Sequence, residues 1–332
     1  MSWQVNTIKA YWQVLTWDRL RNQWHCWWSY LLSIFGIQHV KHQPTFVSVE
    51  PADWCMLHCP ECPVGMRNED REHHLFSIGQ LDRFLQANAK TLCTIIFYFQ
   101  GEPLLNKALP EMIHLAKDYG LYTLLSTNGQ LLSREMAKAL VASGLDRIII
   151  SMDGLSQTAY ETYRVGGKVE RTMDALQFLH AEKEEQHSSI VVELQCLRLK
   201  SNEAEWDSLK KEYKHLGADR LSFKTAQFYD FANGHPLMPT NERYSRYKKT
   251  HDGHYALRKT IHNRCYRLWS GCVIDANGNV LPCCFDKNKE HILGNISTQS
   301  LSEIWRSEEA QQFRKQVLRC RKEISICLNC TE

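Results

Sequence analysis

Apolar residues along the middle of the chain follow two alternating patterns. Short β-branched or aromatic runs bounded by loop residues predict strands, and the stretches between them have the period of amphipathic helices. The predicted strands are Phe46–Glu50, Thr94–Gln100, Leu121–Ser126, Arg147–Met152, Ile190–Leu197 and Arg220–Thr225. The predicted helices are Ile78–Ala89, Leu105–Tyr119, Ser133–Ala142, Val169–Glu185 and Glu203–Leu216. Six alternating units predict parallel strands with right-handed crossovers, hence an α/β fold with a partial (β/α)6 TIM-like barrel.

The chain divides into three zones by composition. Residues 45–255 hold the predicted barrel. Residues 256–332 contain seven of the cysteines and predict a small cysteine-rich C-terminal domain. Residues 1–44 form an aromatic and basic extension with a helical period, and six of the ten tryptophans precede residue 30. The apolar stretch Cys26–Ile37 is too short to span a bilayer. Two interpretations of the extension stay open: a helix packed on the barrel, or an amphipathic helix on a membrane surface.

The amino-acid composition excludes some classes of function. The chain has 332 residues, 43% hydrophobic and 23% charged, enough for one large core plus an appendage. A net charge of +3 gives no reason to expect a nucleic-acid partner. Thirteen cysteines cannot all pair as disulfides, and no cleavable secretory signal is visible. The expected location is therefore the reducing cytoplasm, where clustered cysteines more often bind metal. Peripheral contact with the inner membrane face stays open through residues 1–44.

The first cysteine cluster follows the first predicted strand, as Cys55-Met-Leu-His-Cys59-Pro-Glu-Cys62. Three thiolates within one loop can bind three irons of a four-iron cluster and leave the fourth iron open. The alternative is a zinc knuckle that takes its fourth ligand from elsewhere, with His58 as the nearest candidate. The position of the loop after a strand favours the iron–sulfur cluster, because ligands bind at the C-terminal ends of such strands.

Three further motifs follow the second, third and fourth strands: Gln100-Gly101-Glu102-Pro103, Ser126-Thr127-Asn128-Gly129 and Ser151-Met152-Asp153-Gly154. With the cysteine loop they resemble the radical S-adenosylmethionine (SAM) superfamily, although Gln100 replaces the first glycine of its Gly-Gly-Glu-Pro segment. The resemblance implies a [4Fe-4S] cluster held by three cysteines plus SAM, and reductive cleavage of SAM to a 5′-deoxyadenosyl radical. It also implies a reduced flavodoxin or ferredoxin as electron donor. The implied SAM-site residues are Gln100, Gly101, Glu102, Asn128, Ser151 and Asp153.

The functional groups of SAM point to one further candidate residue for the SAM site. The ammonium group needs an acceptor, which Glu102 can supply. The carboxylate needs a donor, and Arg164, shortly beyond the fourth strand, has a bidentate fork. A surface-helix arginine is the alternative for Arg164, and a loop cap is the alternative for Asn128. No residue is assigned to catalysis beyond cofactor binding.

Cysteines cluster again in the C-terminal zone, at positions 265, 272, 283, 284, 320, 327 and 330. Asn277-Gly278 predicts a hairpin that brings Cys283 toward the others, and four thiolates can hold either zinc or a four-iron cluster. The pattern resembles a shortened form of the SPASM extension of radical SAM maturases, which implies one auxiliary [4Fe-4S] cluster. By that resemblance the ligands are Cys265, Cys283, Cys327 and Cys330. Cys284 competes with Cys283, whereas Cys272 and Cys320 are expected to be bystanders.

The sequence does not identify the substrate. The implied function is a radical SAM oxidoreductase or maturase that oxidises or cross-links its substrate, with a peptide or protein as one candidate. Residues 1–44 are too few for a separate peptide-recognition domain, which counts mildly against a leader peptide. Two other classes stay open: a membrane-associated radical SAM enzyme of lipid or glycan biosynthesis, and a non-catalytic zinc-binding protein.

Overall fold

One nine-stranded sheet organises the fold. The structure is a computed structural model, and it describes residues 3–66 and 72–330. Strands β1 to β6 run parallel and lie side by side in chain order, as the alternating pattern predicts. Their bounds are Phe46–Val49, Thr94–Phe97, Tyr122–Thr127, Arg147–Ser151, Val191–Arg198 and Arg220–Thr225. The sheet order runs from β11 at one edge to β6 at the other, so this part of the chain forms a partial barrel.

Helices cover the outside of the sheet and connect its strands. They are α1 Trp3–Gln13, α2 Trp17–Ile34, α3 Pro63–Met66, α4 Ile78–Asn88, α5 Leu109–Asp118, α6 Arg134–Ala142, α7 Gln157–Glu161, α8 Val169–Glu185, α9 Trp206–Glu212, α10 Arg267–Ser270, α11 Leu301–Arg306 and α12 Glu308–Cys320. Ser133 caps α6 as predicted, because its hydroxyl accepts from the amide of Met136 at 3.2 Å. The prediction placed the start of α5 too early: Pro103–Leu105 instead forms a 3-10 turn that ends the active-site loop.

The C-terminal zone joins the same sheet. Strand β9 (Gly271–Ile274) pairs in parallel with β1, and β10 (Asn279–Leu281) and β11 (Gly294–Asn295) continue it antiparallel. The predicted hairpin turn is present, with Gly278 at a φ of +84° that favours glycine. Gly271 is needed for a different reason, since a Cβ there would lie 2.6 Å from Cε2 of Phe46. A separate hairpin, β7 (Tyr247–Lys249) and β8 (Tyr255–Leu257), precedes β9.

The N-terminal helices pack on the barrel at the ends where its strands begin. The guanidinium of Arg19 in α2 donates to the carbonyls of Ala89, Tyr119 and Gly120, which immediately precede β2 and β3. The inward face of α2 is largely polar: Arg19, Asn22, Cys26, Ser29 and Ser33. Most of its exposed large residues are apolar, namely Trp17, Leu20, Trp24, Trp27, Trp28 and Ile34, and Arg21 is exposed with them. The helix therefore packs on the barrel, as one interpretation predicted, and still leaves an aromatic face outward.

Among residues 3–66 and 72–330, no helix combines the length and apolar character that crossing a bilayer requires.

Candidate active site

A pocket of about 370 Å³ opens at the C-terminal ends of the barrel strands. Parallel strands bring their ends to one edge of the sheet, so the loops after β1, β2 and β3 meet here. Nine of the predicted site residues line the pocket: Cys55, Cys59, Cys62, Gln100, Gly101, Glu102, Asn128, Ser151 and Arg164. Asp153 lies behind the pocket wall and is fully buried.

The cysteine loop is held by short-range contacts to its thiols. The amide of Leu57 donates to Sγ of Cys55 at 3.4 Å, and the side-chain amide of Asn128 donates to the same sulfur at 3.4 Å. Burial raises the pKa of Cys55 to about 12 and also raises the pKa of Cys59. Since metals bind the thiolate form, positive charge from bound iron must compensate for this burial. His58, the ligand that the zinc alternative requires, is exposed on the outer side of the loop.

Glu102 ties two strand-end loops together. Its carboxylate accepts from Oγ1 of Thr127 at 2.5 Å, from the amide of Asn128 at 2.9 Å and from the amide of Leu104 at 3.1 Å. The side chain is almost completely buried, and burial raises its pKa although these donors oppose the shift. Three acceptor positions are thus occupied by the chain itself, which leaves one lone pair of Oε2 for a further donor such as an ammonium group.

Gly101 lets the β2 loop lie directly against the cysteine loop. A Cβ at this position would lie 2.8 Å from the backbone nitrogen of Trp54 and closer still to the carbonyl oxygen of Ala52. The amide of Glu102 donates to the carbonyl of Trp54 at 2.8 Å across the same contact. Gln100 departs from the family pattern and reaches the C-terminal zone, where its amide donates to the carbonyl of Lys287 at 2.6 Å. Its Oε1 is buried without a partner.

Arg164 and Asp153 form a buried ion pair. Nε of Arg164 lies 2.6 Å from Oδ2 of Asp153, and the other carboxylate oxygen accepts from the amide of Leu197 at 2.6 Å. Burial would lower the pKa of Arg164, but Asp153 together with Cys59 and two neighbouring tyrosines outweighs that effect and raises it. Arg164 is therefore not a surface-helix arginine. The pair fixes the guanidinium at the pocket wall beside Cys59, whose thiol it also contacts electrostatically.

Several pocket residues escaped sequence reasoning. Tyr98 follows β2, and Gln195 on β5 lies beside Ser151 in the strand register. Two more, Cys284 and Lys287, come from the C-terminal zone. The period-two pattern of β5 could have identified Gln195 as an inward residue. No local signal points Cys284 or Lys287 toward this pocket.

A lid covers the cysteine loop. Glu61, between the second and third cysteines, accepts from the amide of Tyr229 at 2.8 Å and lies 3.1 Å from Nε2 of His235. The ring of His235 stacks on Phe228 with centroids 4.2 Å apart. The segment that carries Phe228, Tyr229 and His235 therefore lies against the cysteine loop, and His235 helps to hold it there.

The C-terminal cysteines separate into two environments. One small cavity is lined by the four predicted auxiliary ligands: Cys265, Cys283, Cys327 and Cys330. Nη2 of Arg321 lies 3.1 Å from Sγ of Cys330, and its positive charge suits a set of thiolates. Cys284 lines the active-site pocket instead, so the two adjacent thiols point into different cavities. Cys272 is buried in β9 and Cys320 lies at the end of α12, so neither lines the four-cysteine cavity.

Two family models match this chain. The radical SAM superfamily model matches residues 49–192. The SPASM model, an iron–sulfur cluster-binding domain, matches residues 265–331. The chain belongs to the radical SAM superfamily and carries a SPASM domain. The resemblance predicted from the four motifs is confirmed, and the chain is an enzyme rather than a non-catalytic zinc protein.

Individual relatives agree with the family. PqqA peptide cyclase of Rhodopseudomonas palustris is 29% identical over 302 residues, which cover 80% of this chain and 74% of that protein. AdoMet-dependent heme synthase of Methanosarcina barkeri is 24% identical over 318 residues, covering 83% and 85%. The crystal structure of Streptococcus suis SuiB bound to S-adenosylmethionine superposes with a TM-score of 0.63 at 14% identity, covering 82% of this chain and 68% of that one. That likeness confirms the fold.

The radical SAM domain implies SAM and a [4Fe-4S] cluster as cofactors, and the SPASM domain implies auxiliary iron–sulfur binding. The residues of the pocket fit the first pair. Three thiols line the pocket, and a buried side-chain oxygen of Gln100 has no hydrogen-bond partner among residues 3–66 and 72–330. Among the described residues, no group of three His, Cys, Asp or Glu side chains lies close enough together to bind a single metal ion. The thiolates of a four-iron cluster stand farther apart than that, because they surround several irons.

Proposed function

We propose that this radical SAM enzyme oxidises or cross-links a peptide or protein, with Cys55, Cys59 and Cys62 holding the SAM-binding cluster. One observation carries the assignment of the site: the three thiols and the loops after β2, β3 and β4 line a single pocket. When bound, the cluster and SAM together supply the 5′-deoxyadenosyl radical that abstracts hydrogen from the substrate. The residues of the chain bind and orient SAM and the substrate, and they exclude water from the pocket.

Each pocket residue has a role that its contacts support. Asn128 donates to a cluster thiol and so fixes the loop that carries it. Arg164 is held on Asp153 through Nε, which leaves its outer nitrogens for a carboxylate. The unpartnered Oε1 of Gln100 and the remaining lone pair of Glu102 are acceptors for an ammonium group. Ser151, Gln195 and Tyr98 line the rest of the pocket, where the substrate enters.

A peptide substrate is supported by the similarity to PqqA peptide cyclase, which extends over 80% of this chain. The heme synthase is similar over a comparable length, so a porphyrin is the second candidate. Peptides encoded beside the gene should be incubated anaerobically with the enzyme, SAM and dithionite. Loss of two hydrogen atoms from a peptide by mass spectrometry is the expected result. Turnover of a porphyrin with no change in any such peptide would replace the first proposal by the second.

The cluster assignment has its own test. Anaerobic reconstitution should give about eight irons per chain, the sum of two four-iron clusters. Replacing Cys55, Cys59 and Cys62 together by alanine should remove about half of them and abolish 5′-deoxyadenosine formation. Cys320→Ala is the control and should change neither. A triple variant that keeps all its iron would contradict the assignment.

We also propose peripheral attachment to the inner membrane face through α1 and α2. Support comes from the reversed amphipathicity of α2, whose polar face packs on the barrel while its tryptophans face outward. Tryptophan favours the membrane–water interface, and residues 3–44 carry three exposed cations, Lys9, Arg21 and Lys41, against one acidic residue, Asp18. Flotation with phosphatidylglycerol vesicles should fail in the triple variant Trp24→Ser, Trp27→Ser, Trp28→Ser. The control Ile292→Ser, also exposed, should float like the parent, and equal flotation of both variants would refute the proposal.

We propose a reduced flavodoxin or ferredoxin as the electron donor, because cleavage of SAM consumes one electron that the chain cannot generate.

A further inference from the structure

Two segments near the auxiliary cysteines are basic and contain no acidic residue. Residues 256–274 carry four cations, Arg258, Lys259, Arg264 and Arg267. Residues 310–322 carry five, Arg314, Lys315, Arg319, Arg321 and Lys322. The whole chain has a net charge of only +3, so this concentration is local.

Hydrogen bonds join the two segments into one surface. The side-chain amide of Asn263 donates to the carbonyl of Arg319 at 2.8 Å, and its oxygen accepts from the amide of Arg321 at 3.0 Å. Nη1 of Arg321 donates to the carbonyl of Arg264 at 2.7 Å. The cations of both segments therefore surround the same part of the molecule.

Six of the nine cations are exposed: Arg258, Lys259, Arg264, Lys315, Arg319 and Lys322. We call these six the basic surface. Lys315 and Arg319 are four residues apart in α12 and so lie on one side of it, and Lys322 follows in the turn after Cys320. The buried Arg321 serves the thiols beneath, whereas the exposed cations have no such role. Acidic residues flank the two segments: Asp252, Asp275, Glu308, Glu309 and Glu323. Asp275 is paired with Lys289 at 2.7 Å, and the nearby Glu290 accepts from the hydroxyl of Ser325 at 2.8 Å.

The auxiliary cysteines lie directly under the basic surface. Cys265 belongs to the first segment, and Arg321 of the second contacts Cys330. Between Cys327 and Cys330 the chain passes through Leu328, which is 50% exposed. An electron carrier seated on the basic surface would therefore lie beside the segments that carry Cys265, Cys327 and Cys330.

We propose that the basic surface is the docking site of an acidic one-electron carrier of the flavodoxin or ferredoxin class, so that electrons enter through the auxiliary cluster. This rests on the proposed function, which requires such a donor. With clusters held at Cys265, Cys283, Cys327 and Cys330 and at Cys55, Cys59 and Cys62, one electron would pass from the reduced carrier to the auxiliary site and on to the first, and no atom or proton would change place. Complexes between redox partners have small interfaces, and charge complementarity sets the association rate and the relative orientation of the two proteins.

The test compares two charge-reversal variants of the reconstituted enzyme with equal change in net charge. Arg319→Glu/Lys322→Glu alters the basic surface, and Lys211→Glu/Lys214→Glu alters exposed lysines at the end of α9. Binding of an oxidised bacterial flavodoxin is measured by titration calorimetry at low salt. The first variant should bind about tenfold more weakly than the parent, and the control should bind like the parent. The difference in affinity between the two variants should vanish near 1 M salt, where the Debye length is only about 3 Å.

The outcomes separate this inference from the proposed function. Dithionite needs no docking site, so SAM cleavage by the parent enzyme with dithionite tests the proposed function alone. If dithionite supports cleavage while both variants bind flavodoxin equally, the inference is overturned and the proposed function stands. The inference is also overturned if the parent binds phosphatidylglycerol vesicles through Arg319 and Lys322 but does not bind flavodoxin.

Discussion

Substituting Gly101 by alanine would push apart the two loops that form the active site. Gly101 needs no unusual backbone conformation, and its role is to let the β2 loop approach the cysteine loop. The added Cβ would lie 2.8 Å from both the nitrogen of Trp54 and the carbonyl carbon of Ala52. These are backbone atoms, which cannot rotate away as a side chain could.

The cost has two parts. Overpacking against fixed atoms costs about 1–3 kcal/mol. Separation of the loops also weakens the 2.8 Å hydrogen bond from the amide of Glu102 to Trp54, which is worth about 1 kcal/mol. The free energy of unfolding should therefore fall by about 2–4 kcal/mol. The cysteine loop should also shift, so cluster occupancy at Cys55, Cys59 and Cys62 should drop.

Urea unfolding and iron analysis after anaerobic reconstitution measure the two effects. Gly79→Ala is the matched control, since a Cβ at this helical glycine would meet only the guanidinium of Arg83 at 3.8 Å. Alanine there should stabilise the helix by up to about 1 kcal/mol and leave the iron content unchanged. A Gly101→Ala protein with parental stability and iron content would show that the loops adapt without cost and would refute the reasoning.

Three further predictions follow from buried groups. Cys283→Ala should lose about four irons per chain while Cys284→Ala keeps them, because only the first thiol lines the four-cysteine cavity; iron analysis showing the reverse would exchange the assignment. Arg164→Met should lower the unfolding free energy by about 3–5 kcal/mol by leaving Asp153 buried and unpaired. The double variant with Asp153→Asn should recover part of that loss in urea, and an additive loss would contradict the coupling. Burial lowers the pKa of His42 from 6.5 to about 4, so stability should fall as pH drops through that window, and His42→Gln should flatten this dependence in urea titrations.

Most of the barrel could be predicted from the sequence because β1 to β5 are short and largely buried apolar runs, whereas the edge strand β6 alternates polar and apolar residues and has no buried residue. The predicted bounds differ from the observed ones mainly at the strand ends. The first turn of α5 was the poorest prediction. Its apolar period continues upstream through Leu104 and Leu105, but Glu102 accepts from the amide of Leu104 and directs that segment into the active-site loop.

The motifs located the site but not the direction of each side chain. Asp153 belongs to a motif at the end of β4, yet it faces Arg164 and β5 rather than the pocket. Beyond a strand end, side chains no longer alternate between the two faces of the sheet, so sequence spacing cannot show which way Asp153 points. Lys287 reaches the pocket across a contact with Gln100 that spans 187 residues, and no local pattern encodes such a distance.

The pairing of β9 with β1 has a consequence for biogenesis. On the ribosome, β1 emerges first and acquires β2 as a neighbour, but its other edge can be satisfied only after residues 271–274 have been synthesised. Until then β1 presents unpaired backbone groups, which makes the nascent barrel a target for chaperones or for aggregation. The cysteine loop begins at the end of this same strand. Delivery of iron and sulfide to Cys55, Cys59 and Cys62 is thus best timed after release of the complete chain, when both edges of β1 are covered.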